Sequence, residues 1–426
     1  MRIAVMGVAA GALLATLCLA PVCRAAPSEA VVLPAPDARP AVNPELASDG
    51  QGHFLLVWQQ GRNYFEQQES DVYALRLDAT GHPVGGPIPV CVEKGGQDKP
   101  KVVFADGLFF VVWHDFRNGR DWDVYAARID VDGTVRDPGG VLIAGGAGNQ
   151  ASPAAAALPG GAMVVWQHYA DRRYEIQAAV LGTSGKPSSP RPLAFGGDTL
   201  VGGDPSVASL GTTVFLAWKD ESKWTAGSVE GIITRYFARI RVTGGKFEVL
   251  DLERSPTPAL GRYDGRFASG ASATALYAAW GDIGRGRRVP LGAVFSARSA
   301  VAETNPNPEA GQRISAWDPK QALALFSARW QIDGPVAGAY GDNLFLVAAR
   351  EAPSIKPPYV SRIVGARLSP AGARLDEPEK LLVLHDTDKA VANPALAAGP
   401  DGFVLVFQQD DGPGGQRLLA KNVRLR

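Results

Sequence analysis

The sequence predicts an all-β chain, a seven-bladed β-propeller of four-stranded antiparallel blades, on three observations. A unit of apolar runs and turns recurs along nearly the whole chain. The second run of each unit is apolar at consecutive positions, as in Phe54-Leu55-Leu56-Val57-Trp58, so both of its faces are expected to be buried. The last unit lacks a fourth run, and one stands unclaimed near the N-terminus. Regular repetition of a four-strand unit is the signature of a ring of blades.

The first strand of each unit is introduced by proline at Pro44, Pro100, Pro153, Pro205, Pro335 and Pro394, with a degenerate Arg266-Phe267-Ala268 in the fifth. The second strand ends at Trp58, Trp113, Trp166, Trp218, Trp280, Ala348 and Phe407, at intervals of 55, 53, 52, 62, 68 and 59 residues. Third strands follow, such as Tyr73-Ala74-Leu75-Arg76-Leu77 and Tyr125-Ala126-Ala127-Arg128-Ile129. They close at Gly81, Gly133, Gly185, Gly244 and Gly372, where a hairpin needs a positive φ. A fourth strand runs outward, for example Ile88-Pro89-Val90-Cys91-Val92. The segment Ala30–Pro34 precedes the first unit where a fourth strand precedes each later one, so it is expected to close the ring beside Leu418–Leu425. An insertion spans about 299–333, and Asp318-Pro319 before Lys320–Phe326 predicts one short helix near 318–330.

Residues 1–25 are expected to be a signal peptide: Arg2, an apolar run from Ile3 to Ala20, then Cys23-Arg24-Ala25 as a small-x-small cleavage site. Residues 26–426 then form a single domain, periplasmic, secreted or held at the cell surface. Cleavage removes two of three cysteines and leaves Cys91 alone, so no internal disulfide is expected. Lysine and arginine fall from 43 to 41 against 43 acidic residues, which gives no electrostatic case for nucleic acid or an anionic membrane. No later run is long and apolar enough to span a bilayer. A monomer is expected.

Units of the form V-W-x-D-x-R-N-G, then D-V-Y-A-x-R, as in Val112–Gly119 and Asp123–Arg128, resemble the propeller repeats of secreted bacterial proteins. The resemblance covers most of the mature chain and implies fold and export rather than an activity.

Function is expected on the face where loops join second to third strands, since loops on rigid scaffolds carry function. These loops place Arg117, Arg120, Trp122, Tyr169, Arg172, Trp224 and Arg287 as candidate ligand-binding residues. Aromatic and guanidinium groups there suit recognition of a protein or a glycan. Two residues beyond the tryptophans stand Asp115, His168, Asp220 and Asp282, a possible acidic ring. Its members would lie on the order of 10 Å apart, too far for shared metal coordination but within reach of an inverting glycosidase. The repeated tryptophans read as core. Recurring Asp71, Asp123 and Glu175, with Arg76, Arg128, Arg239 and Arg367, read as structural pairs. His53, His82, His114, His168 and His385 show no metal-ligand spacing, and no nucleophile elbow or phosphate loop is present. The S-x-D-x-G-x-x-W box of sialidase-like propellers is missing from the blades. No cofactor, metal or catalytic residue is predicted. The preferred expectation is a non-catalytic binder of a protein or glycan; a glycan hydrolase or lyase, and a structural component of an envelope assembly, are the alternatives.

Overall fold

A computed structural model of the chain describes residues 29–61, 69–171, 173–193, 195, 203–220, 230–260, 268–271, 275–282, 293–300, 323–324, 331–340, 344–352, 361–369, 375–377, 382–412 and 415–424. The signal-like segment 1–25 lies outside them, as do Arg172, Trp224 and Arg287. The described strands are antiparallel and hydrogen-bond into seven four-stranded sheets. In six of these the strands follow chain order from inner to outer edge. The second sheet is representative: Gln97–Ala105, Leu108–Asp115, Asp123–Asp130 and Val141–Ala144.

Burial explains why these runs are strands. Every residue of Phe54–Gln60 and of Leu108–Asp115 is buried, so neither face of the second strands meets water. The third strands keep every third or so position partly exposed, and the short outer strands are the wettest. The apolar clusters lie between sheets rather than within one. One unites Trp113 and Phe109 with Leu55 and Val72 of the preceding sheet. Three of the tryptophans also face a tyrosine across the second and third strands: Trp58–Tyr73, Trp113–Tyr125 and Trp218–Tyr236 stack with ring centroids 6.0, 6.3 and 5.1 Å apart. Such cross-strand aromatic pairs stabilise a sheet beyond their area.

Neighbouring sheets are tied at the hairpins. Gly133, at φ +92°, leaves room for Ile88 and Arg76 of the first sheet; a Cβ there would lie 2.8 Å from Ile88 Cδ1. Gly185, at φ +81°, is filled in the same way by Arg128, whose Nη1 donates to the Thr183 carbonyl. The recurring arginines are structural, but their partners are not the carboxylates that open the third strands. Arg128, Arg239 and Arg367 each grip an aspartate beyond their own hairpin, with Nε donating to Asp137, Asp251 and Asp376 at 2.8, 2.8 and 3.0 Å.

Two features depart from the sequence reading. Leu323–Ala324, inside the expected helix, instead pair as a short strand with Phe295 and Ser296. The rest of 318–330 lies outside the described residues, and no α-helix occurs among those described. An open sheet edge offers backbone partners that override the helical propensity of an Ala/Leu run. The outer strand of the fourth sheet, Lys246–Leu260, is far longer than its counterparts and pairs along the whole of Glu230–Thr243.

The seventh sheet takes its outer strand from the other end of the chain. Val31 and Val32 pair with Ala420 and Leu419, and Leu33 N donates to Leu418 O at 3.0 Å. Leu33 is buried in the cluster shared with Phe54, Trp58 and Leu418. Burying such a leucine is worth about 1.5–3 kcal/mol. Deleting the chain through Pro34 is therefore expected to lower the unfolding free energy by at least that amount, read as a fall in the urea midpoint, and to expose the edge of Gln416–Val423 to self-association. An unchanged midpoint and a monodisperse deletion variant would show that this strand adds nothing.

Candidate functional site

The inner strands share one local device. In each of five, the residue before proline has a left-handed backbone: Asn43, Lys99, Ser152, Asp204 and Asn393 have φ of 51°, 50°, 50°, 47° and 45°. The ladder shifts register at each of these points, as between Val42 and Glu45 or Asp98 and Lys101, and again between Asp333 and Val336 in the sixth sheet. Proline has no N–H to offer a ladder, so a bulge is where an interior strand tolerates it. Left-handed φ suits asparagine and aspartate but strains lysine and serine, by about 1–3 kcal/mol each. The bulges lie opposite the ends of the second strands, on the side of the loops that lead to the third strands. They surround the mouth of a cavity of about 380 Å³, lined by residues of all seven inner strands.

Side chains one residue beyond Trp58, Trp113, Trp218 and Phe407 hold this mouth together. Gln59 Oε1 accepts from Asn43 Nδ2 at 2.9 Å and from the Lys99 backbone N–H of the next sheet at 3.4 Å. His114 Nδ1 accepts the Ser152 N–H of the next sheet at 3.3 Å. Gln408 Oε1 accepts from Asn393 Nδ2 at 3.0 Å. Lys219 Nζ stands 3.5 Å from Asp204 Oδ2, while Ser152 Oγ donates to Asp204 Oδ1 at 3.1 Å and accepts from Lys99 Nζ at 3.5 Å. Further along the strands Lys101 pairs with Glu45, and Ser206 Oγ donates to Ser269 Oγ at 2.9 Å. The result is a chain of amide, hydroxyl, ammonium and carboxylate groups around one opening.

His114 is the buried member. Accepting at Nδ1 leaves its proton on Nε2, which has no partner among the described residues. Burial holds its pKa well below the ordinary value, reinforced by Lys99 and opposed by Asp204. Trp122 covers it, with ring centroids 4.3 Å apart.

The residues two beyond the tryptophans do something else. Asp115 is fully buried; its Oδ2 accepts the Trp113 indole N–H at 2.8 Å, and Arg117 donates to both oxygens at 2.9 and 2.6 Å. His168 Nδ1 and the Trp166 indole share Gln150 Oε1, at 2.9 and 2.8 Å. In the first sheet Gln60 Oε1 caps Trp58 in the same way. Neither Asp115 nor His168 lines the cavity. Asp220 and Asp282 end the corresponding second strands, and their side chains lie outside the described residues.

The loop candidates divide as well. Arg117 is drawn inward: besides Asp115 it donates to Gly139 O at 2.8 Å and stacks 4.0 Å over the Tyr125 ring. Its Nη2 lies 3.1 Å from Sγ of Cys91, a buried free cysteine whose thiol burial pushes up to about 12. Arg120 projects, with its side chain 74% exposed. Trp122 is half-buried between His114 and Phe116, and Tyr169 packs on Tyr174 at 4.4 Å. Among the described residues no group of three or more His, Cys, Asp or Glu side chains is placed to hold a metal.

Asp115→Asn keeps an acceptor for the indole but strips Arg117 of its buried counter-charge, which costs about 3–5 kcal/mol. The urea midpoint should fall accordingly, and a neutral result would assign Asp115 a role outside folding. The histidines predict a pH response. His114 is held uncharged, and His385 is lowered to about 4, chiefly by burial. Below pH 6.5 the unfolded chain takes up protons that these folded imidazoles refuse. Their contribution is thus intact above pH 6.5 and is lost as pH falls below it, by up to about 1.4 kcal/mol per pH unit for each group. His114→Gln, which keeps the acceptor for Ser152, should flatten the fall in stability between pH 6.5 and 5. An equal slope in wild type and variant would show that His114 titrates freely.

No protein-family model matches the chain, and no curated protein matches it in sequence. Solved structures do resemble it. A protein of unknown function from Dyadobacter fermentans is 13% identical with a TM-score of 0.51, over 96% of this chain and 100% of that one. An ulvan lyase of polysaccharide lyase family PL25, bound to -[GlcA(1-4)Rha3S]-, is 11% identical with a TM-score of 0.56, over 92% and 96%. Trypanosoma rangeli sialidase, at 8% identity and a TM-score of 0.48, overlaps 94% of this chain, which spans only 59% of that enzyme. At such identities the first two likenesses show the fold alone, a β-propeller-like array of four-stranded sheets.

Proposed function

We propose that the seven sheets are the blades of one closed ring, that the chain is exported, and that it binds a glycan at the loop-side mouth of its central cavity. Closure is supported by the inner strands, each of which packs on the next from Ala41–Ser48 round to Ala390–Gly399 and back. It is supported also by Asn422 Nδ2, which donates to Ala79 O of the first hairpin at 3.0 Å. The observation that carries the binding reading is the chain of bulge side chains Asn43, Lys99, Ser152, Asp204 and Asn393 around one opening. Amides, hydroxyls and compensated charges match the alternating donors and acceptors of a sugar better than they match an apolar ligand or a protein hot spot. The ulvan lyase of similar fold was solved with a saccharide bound, which lends weaker support. Trp122 and the exposed Arg120, beside this mouth, extend the surface, and Tyr169 lies in the adjoining sheet. Arg172, Trp224 and Arg287, expected from the sequence on the same face, lie outside the described residues.

The test is retention on alginate, polygalacturonate, dextran, hyaluronan and xylan, followed by calorimetric titration. At least one should bind with a saturable isotherm. Arg120→Ala should weaken binding by about 1–3 kcal/mol if that side chain is a hot spot, with no change in melting. Release of new reducing or unsaturated ends during the incubation would replace the binder by the hydrolase or lyase reading. Failure of every polysaccharide to bind would overturn the glycan reading.

A further inference from the structure

The cavity and its mouth do not have the form of a groove. Residues from all seven inner strands line it, so the polar mouth is fenced on every side and leaves only axial entry. Two residues inward from each bulge, about 7 Å along a strand, the wall changes character around its circumference. Glu45 and Lys101 on the first two sheets, and Ser206 and Ser269 on the fourth and fifth, form two polar pairs. Ala154 of the third sheet and Val336 of the sixth are apolar at this level, and Leu396 of the seventh lies one residue deeper. Glu45 and Lys101 neutralise each other, so this level offers oriented hydrogen bonds without an uncompensated ion. A sugar ring has such a division itself, with hydroxyls along its edge and C–H groups on its face. The volume of about 380 Å³ is at the small end of ligand pockets, which run from about 300 to 1,000 Å³.

Resting on the glycan reading above, we propose that the site recognises the end of a glycan chain, with the terminal sugar unit seated inside the cavity and the rest of the chain leaving through the mouth. An internal segment continues in two directions, and a fenced opening has no second exit beside the first. The bulge side chains then contact the penultimate unit, and the Glu45–Lys101 and Ser206–Ser269 pairs meet the hydroxyls of the terminal one.

The readout is binding capacity per gram of polysaccharide. Whichever of alginate, polygalacturonate, dextran, hyaluronan or xylan binds is compared intact and after partial acid hydrolysis to chains of known mean length. End recognition makes capacity rise in proportion to the number of ends: doubling the ends doubles the moles of protein bound. Capacity that stays level or falls on hydrolysis, while the intact polymer still binds, overturns end recognition and leaves glycan binding standing. If none of the five binds, both readings fall together. Ser206→Phe, which fills the cavity below the mouth, gives the second arm. Its expected result is loss of binding to the hydrolysed chains at an unchanged melting temperature, and undiminished binding would overturn the proposal. Should that variant not fold, the capacity measurement on the wild-type chain decides alone.

Discussion

Two-sided burial of the second strands is the constraint on which the rest of the structure depends. A strand such as Leu108–Asp115 has no wet face, so each polar atom it carries needs a partner from the protein. The tryptophans are among the largest fully buried side chains, but they also bring an indole N–H into that core. For Trp58, Trp113 and Trp166 the sequence answers with an acceptor: Gln60 and Asp115 two residues on, and Gln150 from the inner strand of the third sheet. Asp115 is charged and fully buried, so it recruits Arg117 as counter-ion, and Arg117 in turn takes Gly139 O and lies over Tyr125. A satisfied indole thus explains a whole local network, including why one of the arginines in that loop is unavailable to a ligand.

The period of a strand then decides which neighbours are left for function. Residues one apart point to opposite sides, so the positions directly after the tryptophans serve the mouth while those two beyond serve the core. Gln59 and His114 accept from the backbone of the following sheet; Gln60 and Asp115 accept from their own tryptophan. Of the four residues read as a possible acidic ring, Asp115 and His168 are engaged beside their tryptophans, and the side chains of Asp220 and Asp282 lie outside the described residues. The signal that marks the mouth was present all the same, in the residue before each repeated proline. Asn43, Asp204 and Asn393 tolerate a left-handed φ, and such a residue in front of proline at the same place in three of the units is a bulge motif. Strand order, turn glycines and the unclaimed N-terminal strand were legible because each follows from local chemistry. The strand at Leu323–Ala324 was not, because an open edge rather than residue preference selects it.

The bulges also account for how the mouth is held. Left-handed lysine and serine are costly alone, and such strain persists only where the surroundings over-determine it. Here the N–H groups of Lys99 and Ser152 are each taken by a side chain of the preceding sheet, so the strained residue is also the bond between neighbours. The mouth therefore cannot relax one residue at a time without loosening a contact between sheets.

His114 links this ring to the loop above it. Its Nδ1 holds the Ser152 N–H, its ring lies under Trp122, and the backbone of Trp122 is bound in turn to the start of the third sheet, with N–H to Asn149 Oδ1 and carbonyl from Gln150 N–H. The loop from Phe116 to Trp122 is thus clamped at both ends, by Arg117 on Asp115 and by Trp122 on His114, with Asn118 bonded to Asp121 and Asp123 between them. Of its side chains, Arg120 projects furthest into solvent, with its guanidinium 3.9 Å from Asp121 Oδ1. A guanidinium carried on so fixed a loop loses little backbone freedom when it meets a ligand, which is the condition under which a single exposed side chain contributes to affinity. The same burial that removes Arg117 from the surface is what positions Arg120 on it.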